Sequence, residues 1–328
     1  CRVGRQSARP ASEPLPAARG GLIVLRFVLS RLLSTIPTLF LVIVVAFAMV
    51  RAAPGGPFDS ERALPPDIEA RIAAAYGLDA PLHEQFVRYV GGLLQGDLGP
   101  SFRYQGTTVS ELIAGALPVS LMVGGLALII GVVLGVAVGT TAALNQNRWS
   151  DHVLMTVSMA GISIPNFVIA PLLVLLFAIK LQWLPASGLR SAGSLVLPVF
   201  ALSLPMVAYI ARLMRASMLE VLKSQFIRTA RAQGLHPNTL VFRYALKPSL
   251  IPVVSFLGPA IAGVLTGSVV IEQVFNLPGL GRLFIQGALN RDYTLVMGLV
   301  ILYSTVVIVM NLVVDLVYGI LDPRVRYS

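Results

Sequence analysis

Charge is what this sequence has least of. Of 328 residues, 12% are charged and 56% are hydrophobic, about half the charged fraction of a soluble domain, which argues against a water-soluble fold. Cysteine is nearly missing: Cys1 is the only one, so no internal disulfide, cysteine-ligated cluster or multi-cysteine zinc site can form, and no metal site is expected. Lysine occurs only at Lys180, Lys223 and Lys247, each after an apolar residue. Without a Gly-Lys pair there is no G-x-x-x-x-G-K-[ST] loop to hold nucleotide phosphates, so this chain does not hydrolyse ATP by that route. The centres of its apolar runs also lack the ionisable residue that proton-coupled carriers use as a relay. Asp315 comes nearest, at the end of the last run. Such a chain is passive or is driven by another subunit.

The uncharged runs that remain are long. Residues 32–50, 112–147, 153–179, 191–211, 248–271 and 294–314 contain no Asp, Glu, Lys or Arg, and a membrane-crossing helix needs about 20 mostly apolar residues. The pattern predicts an all-α, polytopic membrane bundle of six transmembrane helices, at about 27–50, 114–144, 153–179, 194–214, 249–271 and 294–318. The first run is longer than a signal peptide's apolar core and lacks its cleavage pattern, so it reads as an uncleaved anchor. Residues 1–23 are basic and Pro/Ala-rich, with no Met before Met49, and read as a disordered tail or an upstream-start artefact.

The net charge of +10 is distributed as a membrane protein distributes it, and no nucleic-acid partner is expected. With the segments assigned alternately to two sides, one side holds sixteen Lys/Arg and the other nine. Residues 212–247 alone carry seven, against Glu220. Basic short loops stay in the cytoplasm, which places both termini and this loop inside and the segment 51–113 outside. That outer segment has a helix start at Pro66–Asp67 and a stop at Gly77. It reads as a cap over the bundle or a docking surface for an extracytoplasmic partner.

Proline stands where charge is missing. Pro165 and Pro171, Pro198 and Pro205, and Pro252 and Pro259 are expected to interrupt three successive spans, each leaving a carbonyl free. Such groups must face protein or a wet cavity. Asn166 and Ser163, flanking the first of these breaks, are candidate pathway residues, an interhelical hydrogen bond being the plainer alternative. Asp315 shares a helix face with Asn311 and Tyr318, and Arg212 or Arg215 is its expected ion-pair partner.

The basic loop has its own pattern. Phe226, Ile227, Ala230 and Gly234 form one helical stripe, with Arg228 and Arg231 on the other side. Gly234 suits a left-handed helix end and Pro237 the start of a second helix, whose stripe is Leu240, Val241, Tyr244 and Ala245. Two short helices over 223–248 would lie on the cytoplasmic surface, either against anionic membrane lipid or against a protein approaching the small residues 230 and 234.

"RTARAQG" followed by "ALKPSLIP" resembles the cytoplasmic EAA loop of ABC-importer permeases in its peptide-permease form. Arg228 stands where that motif has Glu and Thr229 where it has its first Ala; Ala230 and Gly234 match. The blocks "IPTLFLVIVVAFAMVRAAPGGPF", "GDLGPSF", "ARLMRASMLEVL", "PGLGRLFIQGALNRDY" and "LVVDLVYGILDPRVRY" are similar, in order over residues 24–328, to the B subunit of oligopeptide permeases. The resemblance implies a type I importer permease moving oligopeptides by alternating access, and no cofactor in this chain. It implies a second homologous permease, two ABC ATPase subunits that bind ATP and Mg, and an extracytoplasmic peptide-binding protein. The coupling residues would be Phe226, Ile227, Arg228, Thr229, Ala230, Arg231, Gly234 and Leu235. A dipeptide, nickel-chelate or glycoside permease remains an alternative, as does a stand-alone secondary carrier.

Overall fold

The computed structural model describes the backbone of residues 17–52, 79–104 and 106–321, with side chains from residue 33 onward except at 266–267, 315–316 and 318–321. The helix expected to end at Gly77 and the tail before residue 17 lie outside the described residues. Every extended element described is helical. The chain runs through α1 (Ala17–Ala52), α2 (Leu82–Leu94), α3 (Val109–Leu144), α4 (Trp149–Ser163) and α5 (Asn166–Leu173, continued as a wider π turn, Val174–Lys180). It continues with α6 (Val196–Leu222), α7 (Gln225–Ala232), α8 (237–249), α9 (Ile251–Val274), α10 (Leu280–Leu289) and α11 (Tyr293–Leu321). α1 begins at Ala17, so the end of the expected tail is helical. Once a helix is nucleated by the apolar run, each further residue adds a hydrogen bond.

Among the described residues, five stretches are long and apolar enough to cross a membrane: Leu33–Ala52, Val109–Leu144, Ala192–Leu222, Ile251–Val274 and Tyr293–Val314. A sixth crossing exists only as the pair α4 and α5, which meet at 103°. The cause is local. Ile164 precedes Pro165 and is held extended, at φ −97° and ψ 118°, because the proline ring clashes with a helical predecessor. The other expected interruptions are not breaks. Pro198 and Pro252 sit in first turns, where no N–H has an intrahelical partner, and α6 and α9 run through Pro205 and Pro259. Trp149 and Trp183, the chain's two tryptophans, bracket the broken pair and are both exposed, as befits rings at membrane–water interfaces.

α6 is the central helix, and its closest neighbour is α3. Gly131, Gly135 and Gly139 make a stripe on α3 at spacing four. A β-carbon on Gly135 would lie 2.7 Å from the Ile210 Cβ, and one on Gly139 would lie 2.7 Å from the Met214 Cβ. The absence of these β-carbons lets the two backbones approach, the usual route to tight packing where lipid removes the hydrophobic drive between helices. α3 itself starts at a capping box: Glu111 N–H donates to Thr108 Oγ1 at 3.2 Å, and Thr108 N–H donates to Glu111 Oε2 at 3.1 Å.

The end away from the basic loop is closed by two buried carboxylates. Glu272, at the end of α9, accepts from Ser120 Oγ of α3 and from the Gly281 N–H at the start of α10, each at 2.7 Å. Asp292 takes the Ser101 hydroxyl and the Phe102 N–H, and it caps α11 through the Leu295 N–H at 3.3 Å. Each carboxylate therefore ties a surface turn to a helix start, where positive backbone ends favour an anion.

Candidate functional site

At the opposite end, α6 stops at Leu222 and the chain turns through Lys223 and Ser224 into α7. Ile227 is fully buried and Ala230 nearly so. Ile227 joins Met214 and Met218 of α6, Val241 and Ala245 of α8 and Val253 of α9 in one apolar cluster. Burying an isoleucine contributes about 1.5–3 kcal/mol, enough to pin an eight-residue helix across the bundle's end. Ile227 and Ala230 face the chain's own core, so neither is available to a partner, and the small side chain at 230 admits α7 to the bundle.

α7 ends as expected. Gly234 has φ +81°; its N–H donates to the Arg231 carbonyl at 3.0 Å and the Leu235 N–H to the Ala230 carbonyl at 3.5 Å, the paired bonds of a Schellman motif. A β-carbon at 234 would meet nothing within 4 Å, so glycine is required there by backbone conformation alone. Pro237 occupies the first turn of α8, where the Asn238 N–H donates to His236 Nδ1 at 3.3 Å.

The second helix corrects the second stripe. Residues Leu240–Ala245 form a π turn, whose bonds span five residues and so widen the repeat. Leu240, Val241, Ala245 and Ser249 are buried, while Tyr244 turns outward. Phe226, Phe242 and Tyr244 are thereby exposed together with Arg228, Thr229, Arg231, Arg243 and Lys247; Leu235 is half-buried. A loop whose inner face is buried in the core thus exposes three aromatic rings and four cations, residue types that favour protein interfaces.

Just inside this surface lies an ion pair absent from the sequence expectations. Arg215 donates from Nε to Asp151 Oδ1 at 2.7 Å and from Nη2 to Oδ2 at 2.6 Å. Asp151 is 1% exposed and accepts a further bond from the Asn147 N–H. The pair joins the first turn of α4 to α6 and borders a cleft with His152, Met155, Thr156 and Met159. Arg215, expected to pair with Asp315, is thus held by Asp151 in bidentate geometry. Arg212 stands over the Tyr209 ring, 5.4 Å from its centre, and the Asp315 side chain lies outside the described residues. Removing either partner leaves the other unpaired in a partly buried site, at a cost of about 1–3 kcal/mol. Asp151→Ala is therefore expected to lower the thermal unfolding midpoint of the purified protein. Asp151→Leu combined with Arg215→Met should recover most of that loss.

The candidate pathway residues flank the break between α4 and α5. Asn166 opens α5, with its Oδ1 buried and without a hydrogen-bond partner among the described residues, whereas the Ser163 hydroxyl turns back to the Met159 carbonyl at 3.0 Å. Ser120, Ser101 and Asp151 escaped the sequence reading. The available signal for Asp151 was an acid in the first turn of a span that begins on the arginine-rich side.

Two family models match the chain. One, described as a binding-protein-dependent transport system inner membrane component, covers residues 131–327. The other, the N-terminal part of such membrane components, covers 24–122. The chain is 52% identical over 306 residues to the oligopeptide transport system permease protein OppB of Haemophilus influenzae, covering 93% of this chain and all of that protein. It is 38% identical to the dipeptide transport system permease protein DppB of Bacillus subtilis, over 92% of this chain and 98% of that one. An inward-facing MetNI methionine ABC transporter structure shares the fold, with TM-score 0.57 at 17% identity, over 64% of this chain and 96% of that one.

Proposed function

We propose a function from the premise that this chain belongs to the binding-protein-dependent transport system inner membrane component family: it is a permease subunit of an ABC importer of oligopeptides. The oligopeptide substrate is supported by relatives of that name at about half identity over the whole of their length; the dipeptide relative is more distant. The chain supplies the path and the lever. A second permease completes the pore, two ATPase subunits bind and hydrolyse ATP with Mg, and an extracytoplasmic binding protein delivers peptide.

The observation that carries this reading is the outward patch of Phe226, Phe242, Tyr244 and the surrounding arginines on a loop fixed at the end of α6. A rigid body docked there can transmit force. Ile227 connects α7 to Met214 and Met218, and the Asp151–Arg215 pair connects α6 to α4, which ends at the 103° break beside Asn166. Closure of the ATPases would thus reach the middle of the bundle through packed side chains, with no bond of the peptide altered.

In vesicles holding the four-protein complex, oligopeptide uptake should require ATP and the binding protein. Uptake that persists without ATPase subunits would overturn the reading. Orientation has its own test. Single cysteines at Ser187 and at Ser60 should react with an impermeant thiol reagent from outside intact cells, and one at Ser224 should not. Labelling at Ser224 would reverse the proposed topology, in which both termini are cytoplasmic.

A further inference from the structure

At the end of the bundle away from the loop, a cavity of about 210 Å³ lies between α1, α2, the turn after α2 and the start of α11. Arg51, Arg88, Tyr89, Phe47, Asp97 and Thr294 are among its walls. Two donors there lack an acceptor among the described residues: Arg51 Nε and the Tyr89 hydroxyl are both buried without a hydrogen-bond partner. The Arg51 guanidinium is also fixed in place, 5.4 Å from the centre of the Phe47 ring. Of the neighbouring polar groups, Gln85 Nε2 donates to the Ala80 carbonyl at 2.7 Å. Asp97 Oδ1 accepts the Gly99 N–H at 2.8 Å, and the Thr294 hydroxyl donates to the Pro100 carbonyl at 2.7 Å. Burial pushes the Tyr89 phenol above its ordinary range, so it remains a neutral O–H donor at physiological pH.

A half-buried guanidinium and a phenol O–H lining one cavity, with the exposed Arg88 also in its wall, call for an oxygen-rich anion, and the guanidinium fork suits phosphate. The depth indicates its source. Arg51 lies in the last turn of a membrane-crossing helix, where hydrocarbon gives way to headgroups. Val45, Met49 and, on α2, Val87 are exposed apolar side chains of the kind that acyl chains cover. We propose that this cavity binds the phosphate of an anionic phospholipid in the leaflet opposite the basic loop. The lipid would fasten α2 to the ends of α1 and α11.

The test titrates the purified complex in detergent with dioleoylphosphatidylglycerol and counts bound lipid by native mass spectrometry. Parallel arms use dioleoylglycerol, which lacks the phosphate, and inorganic phosphate alone. One high-affinity phosphatidylglycerol per chain is expected. Arg51→Gln and Tyr89→Phe should each weaken it about tenfold, as loss of a charge-assisted or buried bond does. Arg103→Gln, an exposed arginine outside the cavity, should change nothing. If Arg51→Gln fails to assemble, Tyr89→Phe decides, since it removes one oxygen. Equal binding by dioleoylglycerol, unchanged affinity in Tyr89→Phe, or displacement of the lipid by millimolar inorganic phosphate would each overturn the proposal. Which leaflet supplies the lipid rests on the proposed orientation, which the cysteine labelling reads independently.

Discussion

Gly234→Val is expected to leave the permease inserted at near-normal abundance while retention of ATPase and peptide uptake both fall, on the order of tenfold. The residue sits at φ +81°, where a β-carbon costs about 1–2 kcal/mol and a branched one more. No neighbour is crowded, since a β-carbon there meets nothing within 4 Å. The strain must instead be relieved by the turn itself, by breaking the bonds from Gly234 and Leu235 back to Arg231 and Ala230. α7 would then lose its fixed angle to α8, and the exposed Phe226 of α7 would shift relative to Phe242 and Tyr244 of α8. Each 1.4 kcal/mol lost at the interface is tenfold in affinity. The membrane spans lie outside this turn, so insertion should survive. The measurement is ATPase retained per permease on purification, with uptake alongside. Full retention with full uptake would mean that this loop is not the docking lever. Ala230→Glu tests the corrected geometry. It would place a charge against the chain's own core, so the permease itself should be lost rather than its ATPase alone.

Gly139→Val is expected to have the opposite signature, with inserted, folded permease falling at least tenfold. A β-carbon at 139 would clash with the Ala211 carbonyl and lie 2.7 Å from the Met214 Cβ. The obstacle is mainly backbone and cannot rotate away. Overpacking in a fitted core costs about 1–3 kcal/mol, occasionally more, and here it forces apart α3 and α6, around which the bundle is built. Gly125→Ala on the same helix, where a β-carbon meets nothing within 4 Å, should leave abundance unchanged. Protease-resistant permease per cell reads both variants. Normal abundance of Gly139→Val would mean that the close α3–α6 approach does not support the fold.

Local signals in the sequence proved dependable where the physics is local. Gly234 requires no knowledge of the rest of the chain, and neither does Pro237 at a helix start. Periodicity puts Ile227 and Ala230 on one stripe, and both are buried, but it groups them with Phe226 and Gly234, which are exposed, and it carries no label saying what a stripe is buried against. The resemblance puts Ile227 and Ala230 among the residues that couple to a partner; in the fold both are buried, and Ile227 clusters with Met214 and Val241 of the same chain. Tyr244 failed for a related reason. The stripe assumed 3.6 residues per turn, and the π turn over Leu240–Ala245 changes the repeat before Pro248, which cannot donate a helical bond.

Pairing across long separations was the least legible feature. Asp151 meets Arg215 across 64 residues, and Ser120 meets Glu272 across 152, distances over which composition and spacing say nothing. Proline content overstated the breaks. Six prolines in three spans promised interruption in each, yet only Pro165 turned its span, because only there is the preceding residue held extended.

The most direct test of the central claim is to isolate this chain from its own membrane in mild detergent, with no partner added, and to quantify what accompanies it. One second permease and two ATPase subunits per chain are expected, with the ATPases alone lost when Phe226 and Phe242 are both replaced by alanine. A chain that purifies without ATPase and drives peptide uptake by an ion gradient in vesicles would contradict it.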